Sequence, residues 1–123
     1  MLSVLREGSW GGYPSPNKRA KAFAQEFADY SGARYGVCCV NGSVAIELAI
    51  WAAGIEPGAE IIVPAYTFTA TASGPVFAHC VPVFVDVDPL TYCIDPKKIE
   101  EAITPKTRAI IPVHLACNMA DMD

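Results

Sequence analysis

Apolar residues recur along this chain with two different periods, and the switches between them outline its elements. From Asn17 onward, Ala20, Phe23, Ala24, Phe27 and Ala28 return every three or four residues, which predicts an amphipathic helix ending near Gly32. Tyr35 to Val40 is a short apolar run and predicts a buried strand. Asn41, Gly42 and Ser43 interrupt it, after which Val44, Ala45, Leu48, Ala49 and Ala52 resume helical spacing until Gly54. Pro57 and Gly58 then predict a turn into the strand Glu60-Ile61-Ile62-Val63, which Pro64 stops. Thr67 to Ser73 is polar and predicts the beginning of another helix, with His79 as a polar residue at its far end. Val81 to Val87 is β-branched and apolar and predicts a strand. Asp95 and Pro96 have the order of an N-cap and a first helical residue, Lys97 to Ile103 fits a short helix, and Thr107 to Val113 closes as a strand.

Each predicted strand is an apolar run rather than an alternation, and strands take turns with helices. That combination predicts an α/β fold with a mainly parallel sheet covered by helices on both faces. The first 16 residues hold Gly8, Gly11, Gly12, Pro14 and Pro16 and predict a loop or arm, leaving residues 17–123 as one unit with no internal repeat and no second domain. The chain reaches Asp123 after a strand and a loop, with no helix to cover the last strand. This predicts an incomplete domain, a fragment of a longer one; a naturally short protein completed by dimerisation is the alternative.

Composition narrows the classes. With 123 residues, 52% hydrophobic and 18% charged, the chain has enough apolar material for a globular core. Nine Lys and Arg against thirteen Asp and Glu give a net charge of -4 without long like-charged runs, which argues against nucleic acid and anionic membrane surfaces as partners. No apolar run approaches the ~18 residues of a membrane span, and the N-terminus lacks a basic start followed by an apolar stretch, so a cytoplasmic protein is expected. The five cysteines form no C-x-x-C pair, and Cys38 and Cys39 lie in the predicted buried strand; reduced, mostly buried thiols are expected.

Asn41-Gly42-Ser43 carries the strongest chemical signal, because it stands between a strand and a helix. A helix start offers unpaired backbone N–H groups and a partial positive charge, which suit an anion. Gly42 lets a ligand approach the backbone, and the Ser43 hydroxyl can add a bond to a phosphate oxygen. On the tripeptide alone, simple helix capping by Asn41 or Ser43 is the favoured reading. Pro64 to Thr71 follows the next strand, where parallel sheets place their ligands, and joins the aromatic pair Tyr66 and Phe68 to several hydroxyls. Phe68 either stacks on a planar ring or is an ordinary core aromatic, the second being favoured on the residues alone. His114 follows the last strand at the same end; it has no metal-ligand spacing and reads as structural or substrate-lining before it reads as catalytic. Asp86 and Asp88 flank Val87 and would face opposite ways, as turn and cap residues. Phosphate-loop, dinucleotide-fold and nucleophile-elbow motifs are missing.

The blocks NGS-x-A, PG-x-E-I-I-VPAYTF-x-A-T, PVFVDVDP-x-T and AITP-x-T-x-AIIPVHL, with the closing ADMD, resemble the DegT/DnrJ/EryC1/StrS family in order and spacing over nearly the whole chain. The family's members are sugar aminotransferases of the aspartate aminotransferase (type I PLP) fold, and the chain corresponds to the N-terminal part of the large domain. The resemblance implies pyridoxal 5'-phosphate (PLP) as cofactor, with Gly42 and Ser43 holding its phosphate and Phe68 stacking on its ring, so both favoured readings above reverse. Tyr13, in the glycine-rich arm, and His114 are implied as weaker substrate contacts. The implied reaction passes an amino group from an amino-acid donor to the keto group of a nucleotide-linked sugar or a cyclitol, in a homodimer. The Schiff-base lysine lies in a later part of such enzymes, so no catalytic residue is assigned here and the chain is expected to be inactive alone. A non-catalytic binding or dimerisation module and a PLP-dependent sugar dehydratase are the competing readings. The stretch Ala116-Cys117-Asn118-Met119 departs from the tyrosine, glycine and glutamine-proline usual in the family, which affects the surroundings of His114.

Overall fold

The computed structural model describes residues 1–8, 10–11 and 17–122. Its contacts divide the chain into two compact units, Met1–Cys39 and Val40–Asp123.

The first unit holds α1 (Leu2–Glu7) and α2 (Lys18–Tyr30). Helix α1 occupies part of the segment expected to be irregular, because the glycines and prolines begin only at Gly8. Helix α2 starts where predicted, on Asn17, whose side chain accepts a hydrogen bond from the Arg19 N–H at 2.8 Å, and it gives way to Gly32 at φ 66°. Its aromatic face is nevertheless exposed. Phe23, Phe27 and Tyr30 form a row of neighbouring rings 5.7 and 6.5 Å apart, and Ala28 is the buried residue of the helix. The strand expected at Tyr35 to Val40 is not formed, and Tyr35, Val37 and Val40 are exposed. The segment lies against α2 instead: Cys38 Sγ reaches the Ala20 carbonyl at 3.3 Å, and a Cβ on Gly36 would strike the Ala24 carbonyl. An apolar run becomes a strand only when it is paired into a sheet, and the three-stranded sheet of the described residues does not include this segment.

The second unit runs α3 (Gly42–Ala52), β1 (Glu60–Pro64), α4 (Ala70–Phe77), β2 (Val81–Val85), α5 (Pro96–Ala102) and β3 (Thr107–Ile110). The three strands form a parallel sheet in the order β2-β1-β3. Ile62 pairs with Val83 on one side and Ile110 on the other, and the register with β3 shifts between Glu60 and Ile61. Because side chains alternate along β1, Ile61 and Val63 join Ile50, Ala78 and Cys80 on one face, while Ile62 joins Val85 and Ile94 on the other. Ile46 of α3 packs on the first cluster and Ile99 and Ala102 of α5 on the second, so helices cover both faces of the sheet. This is the α/β arrangement the apolar runs predicted, with β2 and β3 each ending earlier than expected.

Local chemistry fixes the ends. Helix α5 begins with Asp95 accepting from the Lys97 N–H at 2.9 Å and Pro96 in the first turn. Gly54 and Gly58 turn the chain from α3 into β1 at φ 70° and 84°, a conformation glycine adopts at no steric cost. Helices α3 and α4 approach so closely at Gly74 that an added Cβ would lie 2.5 Å from Ile46 Cγ2. Two of the five free thiols, Cys80 and Cys93, are buried; Cys38, Cys39 and Cys117 are exposed, which corrects the expectation of mostly buried cysteines. Cys38 and Cys39 are exposed because the strand meant to bury them is not formed.

Candidate cofactor site

Helix α3 begins as the Asn41-Gly42-Ser43 sequence suggested, and it shows which residue does the capping. Asn41 is the cap: its backbone is extended, at φ −166° and ψ 174°, and its Oδ1 accepts from the Val44 N–H at 3.0 Å. The first intrahelical bond runs from the Ala45 N–H to the Asn41 carbonyl at 3.1 Å. The helix itself therefore supplies no partner for the N–H groups of Gly42 and Ser43, which sit at the positive end of its dipole. A Cβ on Gly42 would meet nothing within 4 Å, and Gly42 is not among the residues with positive φ. Neither packing nor backbone conformation calls for glycine there, and the space beside its Cα is open.

The loop after β1 brings the second component. Pro64 ends β1 fully buried, and the chain leaves the sheet to enter α4 at Ala70. Between them the Phe68 side chain is 75% exposed, which overturns its reading as a core aromatic. The turn that carries it is tied by the Thr71 N–H, which donates to the Phe68 carbonyl at 3.0 Å, and by the hydroxyls of Thr67 and Thr71, 3.0 Å apart.

These two components line one cleft. A cavity of about 410 Å³ is bounded by Gly42, Ser43 and Ile46 of α3, by Thr67, Phe68, Ala70 and Thr71 after β1, and by Val113 and Leu115 after β3. It opens beyond the carboxyl ends of β1 and β3, the position at which open parallel sheets hold their ligands. Its walls are apolar where a ring could lie and polar at the helix start. A larger cavity, about 640 Å³, lies at the opposite end of the strands and is lined by residues 53–59, Lys106 and Arg108. Size does not make it the site: its two basic side chains are exposed, and Arg108 spends its guanidinium on the Pro105 and Thr107 carbonyls.

Among the described residues, the other candidates do not line this cleft. His114 lies between two cleft residues but is itself exposed, and its Nδ1 accepts the Ala120 N–H at 3.0 Å. That bond, with Asn118 Nδ2 donating to the Thr91 carbonyl at 2.9 Å, folds the 114–120 loop onto the turn after β2. Ala116 stands there with φ 52°, a conformation that disfavours a side chain. Tyr13 lies outside the described residues. Asp88 is the turn residue it was expected to be: its Oδ1 accepts the N–H groups of Leu90 and Thr91 at 2.8 and 2.9 Å. Those two bonds, the Thr91 one first, hold its carboxyl below the usual carboxylate range. Among the described residues no group of three or more metal-ligating side chains is present. None of Lys97, Lys98 and Lys106 lines the cleft; Lys98 pairs with Glu101 at 2.9 Å. Ile46, Thr67, Ala70, Thr71, Val113 and Leu115 are the wall residues that the sequence did not single out, although the density of hydroxyls between Thr67 and Thr71 was visible in it.

Comparison with known proteins places the whole chain in a family. The sequence profile described as the DegT/DnrJ/EryC1/StrS aminotransferase family matches residues 3–123. A Streptoalloteichus tenebrarius protein, provisionally named an L-glutamine:3-amino-2,3-dideoxy-scyllo-inosose aminotransferase, is 51% identical over 120 residues, covering 98% of this chain and 29% of that protein. The crystal structure of a 3-amino-5-hydroxybenzoic acid synthase superposes with a TM-score of 0.89 at 40% identity, over 99% of this chain and 31% of the other. The NtdA protein of Bacillus subtilis, crystallised with bound PMP, superposes with a TM-score of 0.83 at 40% identity, over 93% of this chain and 25% of the other. The chain thus spans about three tenths of the length of the curated relatives it matches. On its sequence and its structure alike, the chain belongs to the DegT/DnrJ/EryC1/StrS aminotransferase family.

Proposed function

We propose that this chain supplies the phosphate- and ring-holding part of a PLP-dependent aminotransferase. The enzyme would pass an amino group from an amino-acid donor, glutamine or glutamate, to the keto group of a cyclitol or a nucleotide-linked sugar. One observation carries the reading: a helix start with two N–H groups unclaimed by the helix and an exposed phenylalanine face the same cleft. The backbone N–H groups of Gly42 and Ser43, with the Ser43 hydroxyl, would hold the phosphate, and the face of Phe68 would hold the pyridine ring. The cofactor, when bound, supplies the electron sink that amino-group transfer needs. The chain's own contribution is binding, orientation and an apolar wall from Ile46, Val113 and Leu115. The names of the relatives support glutamine as donor and a keto-cyclitol as acceptor.

The same reading extends to assembly and place. Residues 17–123 would form part of one large domain, with residues 1–16 as an arm and the attaching lysine in a later part of the enzyme. A homodimer would cover the aromatic row of α2, and a cytoplasmic location agrees with the lack, among the described residues, of a helix long and apolar enough to cross a membrane.

Equilibrium dialysis of the chain against PLP tests the proposal. Binding should be competed by inorganic phosphate and weakened about 5-fold by Phe68→Ala, the size of one aromatic stacking contact. The thermal midpoint should not move, since the ring is exposed. PLP binding indifferent to both phosphate and Phe68→Ala would overturn it. Borohydride should fix no label on Lys97, Lys98 or Lys106; a label there would place the attaching lysine within this chain.

A further inference from the structure

Among the described residues Thr71 is the buried polar side chain, at 6% exposure. A hydroxyl in an apolar wall costs free energy unless it is bonded, and a valine of the same shape would fill the place without that cost. Its partner is the Thr67 hydroxyl, 3.0 Å away. The two threonines bracket Phe68, whose carbonyl accepts the Thr71 N–H, and all three residues line the cleft. Phe68 is three-quarters exposed, so little of its surface is held by packing. Outside this turn, the neighbouring Tyr66 ring rests on Tyr92, with centroids 6.0 Å apart, which steadies the entry to the loop and not Phe68 itself.

We infer that Thr71 is a positioning residue: through its hydroxyl bond to Thr67 it closes the turn around Phe68 and fixes where that ring stands over the cleft. Without the bond the backbone tie from Thr71 to Phe68 remains, and α4 still forms, but residue 67 swings free on the side from which the ring leaves the chain. The polar contact is thus retained in an apolar wall because it sets a direction for a side chain that packing does not set. What the ring stacks on rests on the proposed function; that the hydroxyl pair orders the ring does not.

The test uses both levels. In the unliganded chain carrying 4-fluorophenylalanine at position 68, the ¹⁹F line should shift and broaden in Thr71→Val and equally in Thr67→Val, and return in Thr71→Ser. Thr67 is only half-buried, so Thr67→Val keeps the test informative should Thr71→Val fail to fold. An unchanged line in folded Thr67→Val would overturn the inference. With PLP, the dissociation constant should rise about 5-fold in either valine variant, the size of one hydrogen bond, and stay within about twofold in Thr71→Ser. In a Phe68→Ala background Thr67→Val should add nothing, because its whole effect passes through the ring. Additive losses would mean that the hydroxyls act on the ligand directly and would sink the positioning role. Should the wild-type chain bind no PLP, the proposed function fails, and the fluorine line still decides the inference.

Discussion

The two ends of the sheet use the same materials to different purposes. Both have a glycine-bearing turn beside helix α3, and both enclose a cavity, the larger one at the amino ends of the strands. At that end Gly54 and Gly58 have φ 70° and 84°, so backbone conformation accounts for them. At the carboxyl end Gly42 has neither a positive φ nor a neighbour within 4 Å of where its Cβ would be. One kind of glycine is explained by the chain's own backbone; the other is not, and under the proposed function it would serve a ligand. The hydroxyls and the exposed aromatic gather at the second end, which is why the smaller cavity is the one proposed as the site.

Exchange of glycine for valine at the two ends is the strongest way to break this contrast. Gly42→Val should cost PLP affinity on the order of 100-fold, as two hydrogen bonds to a charged group at roughly 1.5 kcal/mol each are blocked, and leave the thermal midpoint within a degree or two. Gly58→Val should do the opposite, lowering stability by roughly 1–2 kcal/mol through left-handed strain without changing affinity in the protein that remains folded. Denaturant titration and dialysis on the same two samples read both effects; equal losses of affinity would erase the distinction.

Thiol reactivity sharpens it further. Cys80 is buried where β2 begins, and desolvation pushes its thiol up from the ordinary range, whereas Cys117 is exposed in the loop beyond β3. Alkylation at neutral pH followed by peptide mass mapping should label Cys117 well before Cys80, with Cys80 reacting only as the chain unfolds. Simultaneous labelling would show that the amino end opens as readily as the site.

The smallest effect concerns pH. The Asp88 carboxylate is held below its usual range by the Thr91 and Leu90 N–H groups, so its contribution is present above the unfolded value and lost as pH falls through the folded one. Amide exchange at Leu90 and Thr91 should therefore quicken only in acid, below the ordinary carboxylate range, and Asp88→Asn should remove most of that pH dependence. The turn at Gly54 and Gly58, which is held by backbone bonds, should show no matching step.

Much of this architecture was legible in advance wherever the cause was local. Asp95-Pro96 marks the start of α5 because a cap and a preset φ act within a few residues, and Asn41 marks α3 for the same reason. The apolar run of β1 is continuous because that strand is buried on both faces, which is the mark of a central parallel strand, whereas β2 and β3 are in part exposed. The run at Tyr35 to Val40 has the same look and is no strand, since nothing in its own residues says whether a neighbour will pair with it. Phe23 and Phe27 have core spacing and stand exposed for a similar reason.

The site divides along the same line. The sequence by itself determined that a helix would begin at Gly42 with donors to spare, and that an aromatic would follow β1 at the carboxyl end of the strands. Only the tertiary structure decided that Phe68 is exposed, that it shares a cleft with Ser43 and Leu115, that His114 holds the Ala120 N–H, and that the hydroxyl of Thr71 is buried against Thr67. Caps and periods are properties of neighbouring residues, whereas burial and the walls of a cleft are made by segments far apart in the chain, and only folding brings those together.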